Sequence, residues 1–420
     1  MRIAVVVNRA TVYKLFGPII EYALEHGADV DCWHDYGHPS EGPKGYMFPA
    51  AGICPRFLRG APTVRTFQGA DELAIGLQKG AYDAVVSIGT RQSDIGNRRL
   101  PADTRWCLVQ TGVDTFLIHR PEGLLTCDLV LVLTLWWIEW ADQYYRSIGI
   151  ELEQPLSHQL GSRVVVTGWA EIDAKSRIDA GEVRHRWGIP QGRPVVLLLP
   201  FPQGVGKRTF WPRYVFGEPR PFMRTLNIVR HGRFEYLKDV RHGWSDAAVV
   251  AAVRKFCDRN DAFLLVKSRE KTPMPDYVRA AADKALYDEC YYPPTILEAM
   301  AVAALCVNYY SLSVLEAAAT AVPNLCITFN RNDYLGDETD MRVFFDQFFV
   351  ADEGGPFQYT GVSSAIGIPE AIEQLPSRSL GDFQIASDAR RSYLQKFVGQ
   401  HAGGAAAAAF DAIARARCLS

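Results

Sequence analysis

The chain has 420 residues, of which 48% are hydrophobic and 22% are charged, and its formal net charge is −2. This length predicts two domains rather than one, and the composition is that of a globular protein with a large core. A net charge so close to zero argues against a dedicated nucleic-acid-binding protein. The nine cysteines include no CxxC pair, so we expect buried free thiols in a reducing compartment and no zinc site.

The start of the chain and its longest apolar run bear on its location. Met1 and Arg2 lead directly into an apolar strand, so we expect no signal peptide. The apolar run DLVLVLTLWWIEW contains Glu139 and is too short to cross a bilayer. We therefore expect a cytoplasmic protein, with any membrane contact peripheral and at the inner face of the membrane.

Strands and helices alternate from residue 1 to about 168. The first strand is IAVVV, and a helix is predicted from Pro18 to His26, with Pro18 in its first turn and Gly27 after its end. Continuous apolar strands that alternate with helices predict a parallel sheet covered on both faces. The further predicted strands are ADVDCW, TVRTF, YDAVVSIG, WCLVQTG, DLVLVLT and RVVVTG.

The same alternation begins again after a helical stretch at 174–187. Its predicted strands are VVLLLP, AFLLVKS, ALCVNYY and PNLCITF, with helices between them. The sequence thus predicts an α/β protein with two doubly wound, Rossmann-like domains that face a cleft, followed by C-terminal helices at 387–398 and 405–417. We place the domains at 1–168, 169–386 and 387–420. Ligands of such sheets bind beyond the carboxyl ends of the strands.

Two familiar phosphate-binding motifs are not met. Gly204-Val205-Gly206-Lys207 follows a strand, but a triphosphate-binding loop requires glycine where Phe201 stands and serine or threonine where Arg208 stands. The turn after the first strand, Asn8-Arg9-Ala10-Thr11, contains no glycine. A dinucleotide-dependent dehydrogenase is therefore not predicted.

A polar turn late in the chain is the best candidate for an anion site. An apolar strand ends at Asn308, and Ser311 and Ser313 open a helix rich in small residues. A serine-capped helix start offers backbone N–H groups and a positive dipole end to a phosphate. The alternative is that the serines only cap the helix. Lys267 and Arg269, at the end of another buried strand, would supply positive charge, unless they are merely solvated.

Four segments, read in order, resemble one superfamily. They are LVQTGVD (108–114), TGWAEIDA (167–174), FLLVKSRE (263–270) and VNYYSLSVLEAAATAVPNL (307–325). The whole chain resembles GT-B-type glycosyltransferases, nearest to bacterial capsule and surface-polysaccharide transferases and to CDP-glycerol glycerophosphotransferases. It departs from the latter at Thr111, which stands where they have a histidine, and at Asn308, where they have an acid. Ser268 and Arg269 stand where histidine and proline are usual.

The resemblance implies a function and a donor site. It implies transfer of a sugar from a nucleotide-activated donor to a glycan or lipid-linked acceptor in bacterial surface polysaccharide synthesis, without a metal or a bound cofactor. Glu316 would bind ribose hydroxyls. The other residues that we assign to the donor nucleotide and its phosphates are Lys267, Arg269, Tyr310, Ser311, Ser313, Thr167 and Gly168.

The transfer also needs a base that deprotonates the acceptor hydroxyl. The first domain offers Asp94 and Asp114 after two of its strands, and His34 and Asp35 after a third. A polar residue in such a turn also commonly hydrogen-bonds its own backbone. We rank Asp94 first, because Arg91 and Gln92 are beside it, and Asp114 second.

Two aromatic regions are candidates for acceptor binding. The insert 201–245 combines many cationic and aromatic residues, among them Lys207 and Arg208, and is longer than an ordinary loop. Such a composition suits phosphate-bearing glycans, an anionic sugar or a membrane surface, and a structural flap is the alternative. Trp136 and Trp137 begin a helix that could form an acceptor wall, unless these tryptophans are core residues.

Other reactions and roles fit the same architecture. The alternatives are a polyol-phosphate transferase, a nucleotide-sugar epimerase and a non-catalytic degenerate transferase partner. The expected partners are a nucleotide-sugar donor and a glycan or lipid-linked glycan acceptor, with peripheral membrane contact in addition, and nucleic acid is not expected.

Overall fold

The computed structural model describes residues 1–36, 54–200, 246–268, 274–286, 291–309, 311–328, 353–399 and 403–416. The chain divides into two compact units. The first consists of Met1–Asp179, Asp288–Ala301 and Arg391–Ser420, and the second of Ala180–Tyr287 and Val302–Arg390. Each unit contains one parallel sheet, so the predicted pair of doubly wound α/β domains is confirmed. The predicted bounds at 168 and 386 stay a prediction.

The sheet of the first unit has seven parallel strands in the order β3-β2-β1-β4-β5-β6-β7. The central strands β1, β4, β5 and β6 are mostly apolar and buried, as expected for a sheet that is covered on both faces. The strand order reverses at β1, which lies between β2 and β4. The strands are β1 (Arg2–Val7), β2 (Asp29–Asp35), β3 (Thr63–Phe67), β4 (Ala84–Ser87), β5 (Arg105–Val109), β6 (Leu129–Val132) and β7 (Val164–Val166).

The first helix begins earlier than the sequence predicted. It starts at Tyr13, directly after a 3-10 turn at Ala10–Val12, so Pro18 lies inside the helix rather than in its first turn. Burial of one apolar face stabilises the longer helix despite the missing proline N–H. The helices up to β8 are α1 (Tyr13–Glu25), α2 (Gly69–Gly80), α3 (Arg91–Ile95), α4 (Asp114–Ile118), α5 (Pro121–Leu124), α6 (Trp136–Ser147), α7 (Leu156–Leu160) and α8 (Ala180–Trp187).

The sheet of the second unit has six parallel strands in the order β10-β9-β8-β11-β12-β13, and the order reverses at β8. Its strands are β8 (Val195–Leu199), β9 (Phe263–Lys267), β10 (Lys284–Leu286), β11 (Leu305–Asn308), β12 (Asn324–Thr328) and β13 (Ser363–Gly367). The helices described after β8 are α9 (Asp246–Arg259), α10 (Asp276–Ala281), α11 (Thr295–Val302), α12 (Ser313–Ala319), α13 (Ile368–Glu373), α14 (Ser387–Phe397) and α15 (Ala405–Ala416). None of the helices in the described ranges is long and apolar enough to cross a bilayer.

Helix α15 packs against α1 and against the 3-10 helix Ala170–Arg177. Asp173, in that 3-10 helix, accepts a hydrogen bond from the backbone N–H of Ala406 at 2.7 Å, and the amides of Gly404 and Ala405 also bond to it. These are the free amides of the first turn of α15, so Asp173 caps a helix that is more than 200 residues away in the sequence.

We expect Asp173→Ala to loosen α15, at a cost of about 1–2 kcal/mol, because three helix-end amides lose their acceptor. Hydrogen exchange of the amides in 405–416 measures this loss. Asp411→Ala is the matched control, because Asp411 is an exposed residue within α15 itself. Equal exchange in the two variants would contradict the capping role.

Candidate functional site

The donor-site residues of the second unit that the structure describes lie at the carboxyl edge of its sheet or in the turn and helix that follow, and they are Lys267, Ser311, Ser313 and Glu316. Val266 pairs with Leu198, and Asn308 pairs with Leu199, so Lys267 and Asn308 end their strands at the same level. Strand β8 lies between β9 and β11, which places these two strand ends about 10 Å apart. This is the point at which the strand order reverses, where ligands of doubly wound sheets bind.

The turn after β11 is held by Asn308, whose side chain is fully buried. Its amide nitrogen donates to Oδ1 of Asn324 at 2.5 Å, and its Oδ1 accepts the N–H of Ser311 at 3.1 Å. An aspartate could not make the first of these bonds as a donor. The asparagine that departs from the related transferases therefore has a structural function in this chain.

The start of α12 differs from the expectation of free amides. The helix begins at Ser313 rather than at Ser311. Ser311 Oγ accepts the N–H of Ser313, and the carbonyls of Ser311 and Leu312 accept the amides of Val314 and Leu315. Three amides that were expected to face an anion thus have partners within the chain. The side chains of Ser311 and Ser313 remain partly exposed, so their hydroxyls are the groups that could contact a phosphate.

Glu316 is buried in the first turn of α12, with 4% of its surface exposed. Its Oε2 atom is shielded from solvent and has no hydrogen-bond donor among the residues that the structure describes. The carboxylate lies close enough to Cys306 on β11 for its charge to contribute to the raised pKa of that thiol, for which burial is the larger cause. A buried carboxylate oxygen without a donor is costly, and it is therefore a natural acceptor for a ligand hydroxyl.

Lys267 is also buried, with 6% of its surface exposed, although it ends its strand. The neighbouring Ser268 is buried too, and its N–H donates to the carbonyl of Leu286 on β10. The alternative in which Lys267 is a solvated strand end is therefore wrong. Arg269 and Tyr310 lie outside the described residues, so their assignment stays a prediction.

Thr167 and Gly168, assigned to the donor nucleotide, belong to the first unit. The N–H of Thr167 donates to Val132 on β6, and its hydroxyl donates to the carbonyl of Gly168. The Cα atom of Gly168 packs closely against Gly399, where a Cβ would be 3.1 Å away. These contacts account for the polar groups of Thr167 by local structure, and a nucleotide contact there stays a prediction.

Asp94 is held beyond the end of β4, in the first unit. Ser87 Oγ donates to its Oδ2 at 2.5 Å, and the N–H of Gly89 donates to that same Ser87 oxygen. Ser93 Oγ lies 3.0 Å from Asp94 Oδ1. Desolvation raises the pKa of Asp94 to about 6, against the opposing hydrogen bonds of the serines and with help from the charge of Asp35. A carboxylate with such a pKa is ionised at neutral pH and is a better base than an ordinary aspartate.

The other base candidates are Asp114, His34 and Asp35, and the structure describes them to different extents. Asp114 begins α4, and its side chain lies outside the described parts. His34 is buried, its Nε2 lies 2.7 Å from the hydroxyl of Tyr13, and burial lowers its pKa to about 4. Asp35 is partly exposed at the end of β2.

Two residues at the end of β1 were overlooked as site residues. Asn8 and Arg9 follow the strand at which the order of the first sheet reverses. Asn8 Oδ1 and Arg9 Nε are shielded from solvent and have no hydrogen-bond partner among the described residues. The signal for them in the sequence is a pair of polar residues directly after the first strand.

The tryptophans of α6 are divided between core and surface. Trp137 is fully buried, and its indole N–H donates to the carbonyl of Phe397 at 2.8 Å. Trp140 is buried as well, stacked on Tyr144. Burial argues against the predicted acceptor contact of Trp137, whose function is to hold α14. Trp136 is partly exposed, with Lys396 Nζ 5.7 Å from the centre of its ring, and its acceptor role stays a prediction.

The remaining predicted acceptor residues, Lys207 and Arg208, and the whole insert 201–245 lie outside the described residues. Within the described ranges, no three His, Cys, Asp or Glu side chains come together as a metal site would require.

Comparison with known proteins finds similarity in structure only. No protein-family profile and no curated protein sequence matches the chain. Among solved structures, a variant of the wall teichoic acid polymerase TagF soaked with CDPG matches with a TM-score of 0.55 and 9% identity over 100% of this chain and 89% of that one.

Two sugar-nucleotide complexes match over nearly their whole length. The UDP-GlcNAc 2-epimerase of Neisseria meningitidis bound to UDP-GlcNAc has a TM-score of 0.52 and 12% identity, with 100% of both chains covered. UGT89C1 of Arabidopsis thaliana complexed with UDP-L-rhamnose has a TM-score of 0.52 and 9% identity, with 99% of both chains covered. At identities this low, the structural matches show the fold alone. They confirm the predicted fold: this chain has a GT-B glycosyltransferase-like fold.

Proposed function

We propose that the chain is a glycosyltransferase that moves a sugar from a nucleotide-activated donor to a glycan or lipid-linked acceptor. The donor nucleotide would bind at the carboxyl edge of the second sheet. The observation that carries this proposal is the buried Glu316 carboxylate, which has an oxygen without a donor in the described residues. A ribose hydroxyl is a donor of the right kind.

The unsatisfied Glu316 oxygen makes the binding of a hydrogen-bond donor favourable in free energy. An unsatisfied buried acceptor costs about 1–3 kcal/mol, and more when it is charged. A ribose hydroxyl that donates to Glu316 would recover part of that cost on binding. At the same sheet edge, Lys267 ends its strand at the level where β11 ends, and Ser311 and Ser313 follow just beyond β11 in the sequence. A cation and hydroxyls are the groups that a leaving diphosphate needs.

The proposed reaction also needs residues that stabilise the leaving phosphate and a base that takes the acceptor proton. Lys267 and the serine hydroxyls, with Arg269 and Tyr310, would stabilise the departing phosphate without a metal ion. Asp94, or Asp114 in its place, would take the proton of the acceptor hydroxyl. A lipid-linked acceptor and surface polysaccharide synthesis would bring the protein to the inner face of a membrane by peripheral contact.

Glu316→Gln tests whether the buried Glu316 carboxylate binds a ribose hydroxyl. The amide keeps the volume of the side chain but loses the charge that a ribose hydroxyl would meet, so we expect nucleoside diphosphates to bind about 10-fold more weakly. The ligand-free variant should unfold at the same temperature or higher, because a buried charge has been removed. Titration calorimetry with UDP, CDP, GDP and dTDP, alongside pyrophosphate, measures the change.

Pyrophosphate is the internal control, because it has no ribose and its affinity should not change. Glu298→Gln, on α11, is the control variant, because Glu298 belongs to the first unit and Glu316 to the second. If Glu316→Gln binds every nucleotide as the native chain does, the donor-site proposal fails. If the ligand-free variant is strongly destabilised, Glu316 has a structural role instead.

Turnover distinguishes transfer from the alternatives. A transferase releases nucleotide from the donor sugar and does so faster with acceptor present. Release of glycerol phosphate from CDP-glycerol would show a polyol-phosphate transferase. Conversion of the sugar with its nucleotide still attached would show an epimerase. Tight nucleotide binding without any turnover would show a non-catalytic partner.

A further inference from the structure

Four side chains of the first unit form a thiol cluster at β2. They are Cys32 and His34 on β2, Tyr13 at the start of α1, and Cys54. Cys32 and His34 are two residues apart on one strand, so they share a face of the sheet, and both are buried. Cys54 is only partly buried, so it is the more exposed of the two cysteines.

The hydrogen bonds of the thiol cluster converge on the Cys54 sulfur. The Tyr13 hydroxyl donates to Sγ of Cys54 at 3.6 Å and lies 2.7 Å from Nε2 of His34. A hydroxyl has one proton, so when Tyr13 donates to the sulfur, His34 must donate to Tyr13 through Nε2. Cys32 also lies near enough to Cys54 to affect its ionisation, so the Tyr13 hydroxyl and the Cys32 thiol both favour the thiolate of Cys54.

These contacts shift the pKa values of the two thiols in opposite directions. The bond from Cys32 lowers the pKa of the Cys54 thiol to about 7, against the effect of burial and with further help from Tyr13. The same bond, together with burial, raises the pKa of Cys32. Cys54 thus combines access with thiolate character, the two properties that govern reaction with oxidants, and Cys32 is the adjacent thiol that can resolve the product.

We propose that Cys32 and Cys54 form a reversible intramolecular disulfide when the protein meets a peroxide. The Cys54 thiolate attacks one peroxide oxygen and breaks the O–O bond, which gives a sulfenic acid on Cys54 and releases hydroxide. The Cys32 sulfur then attacks the Cys54 sulfur, the S–OH bond breaks, and water leaves with the proton of Cys32. Both sulfurs are oxidised and the peroxide is reduced, and a dithiol reductant returns the pair to thiols.

Peptide mapping of the folded protein tests the bridge. After treatment with hydrogen peroxide, free thiols are alkylated with iodoacetamide, and the digest should contain a Cys32–Cys54 cross-linked peptide that disappears with dithiothreitol. Cys54→Ser and Cys32→Ser should each abolish it. Cys127→Ser is the control, because Cys127 is a buried thiol elsewhere whose pKa burial raises to about 12. A cross-link from Cys54 to any other cysteine, or none in folded protein, would overturn the proposal.

A second measurement holds even if a cysteine variant folds poorly. In the native protein, the rate at which iodoacetamide modifies Cys54 should rise with pH to half its maximum near pH 7. Tyr13→Phe removes one donor to the thiolate and should move that midpoint upward, whereas a purely structural tyrosine would leave it in place. A native midpoint in the ordinary thiol range of about 8.5 would contradict the proposal.

Discussion

Lys267→Met weakens the binding of nucleoside diphosphates and pyrophosphate by about 10- to 100-fold, because a charge-assisted hydrogen bond in a buried site contributes about 1.5–3 kcal/mol. Lys267 is buried at the end of β9, at the level where β11 also ends. Methionine keeps the length and the apolar contacts of the stem and removes only the ammonium group. The phosphate part of the ligand should therefore lose affinity, whether or not a ribose is attached.

The matched control is Lys255→Met, which removes the same charge from an exposed position on α9 in the same unit. Calorimetric titration with UDP and with pyrophosphate should give unchanged dissociation constants for this control. The pattern also complements Glu316→Gln, which should affect the nucleotide but not pyrophosphate. If Lys267→Met and Lys255→Met weaken binding equally, the effect is one of net charge, and the donor phosphates do not bind at the end of β9.

The alternation of strands and helices was predictable because parallel strands in this chain are buried on both faces. A stretch such as VVLLL then has no polar positions, and only length and neighbouring helices distinguish it from a helix segment. The start of α1 was not predictable in the same way. Pro18 is a sound signal for a first turn, but packing of the buried Leu15 and Phe16 extends the helix beyond it.

In the candidate site, the sequence predicted the positions of residues along the chain better than the burial and contacts of their side chains. The sequence placed Lys267 at a strand end and Glu316 near the start of a helix. Their burial, and the missing donor to Glu316 among the described residues, required coordinates. Trp137 was assigned to an acceptor, although a tryptophan in an amphipathic helix more often packs inside. Asp173 was noticed only as part of a resemblance, and its capping of α15 depends on a contact between distant parts of the chain.

Asp94→Asn should lower kcat by about 10²- to 10⁴-fold, the usual contribution of a general base. The native protein should show kcat/KM rising with pH and levelling above about 6, because the pKa of Asp94 is raised to about 6 by its desolvation. In the variant this limb of the profile should disappear. Asp71→Asn is the control, because Asp71 is 81% exposed on α2 in the same unit.

The unfolding temperature of Asp94→Asn distinguishes a catalytic role of Asp94 from a structural one. In the unfolded chain an aspartate ionises with a pKa of about 4. The folded-state pKa of Asp94 is higher, so ionisation is harder in the folded chain, and the folded state loses stability as pH rises from about 4 to about 6. Asparagine cannot ionise, so at neutral pH Asp94→Asn should unfold at the same temperature as the native chain or higher. An inactive variant that is equally or more stable identifies a group kept for chemistry, whereas loss of both stability and activity would show that Asp94 only holds Ser87 and Ser93 in place.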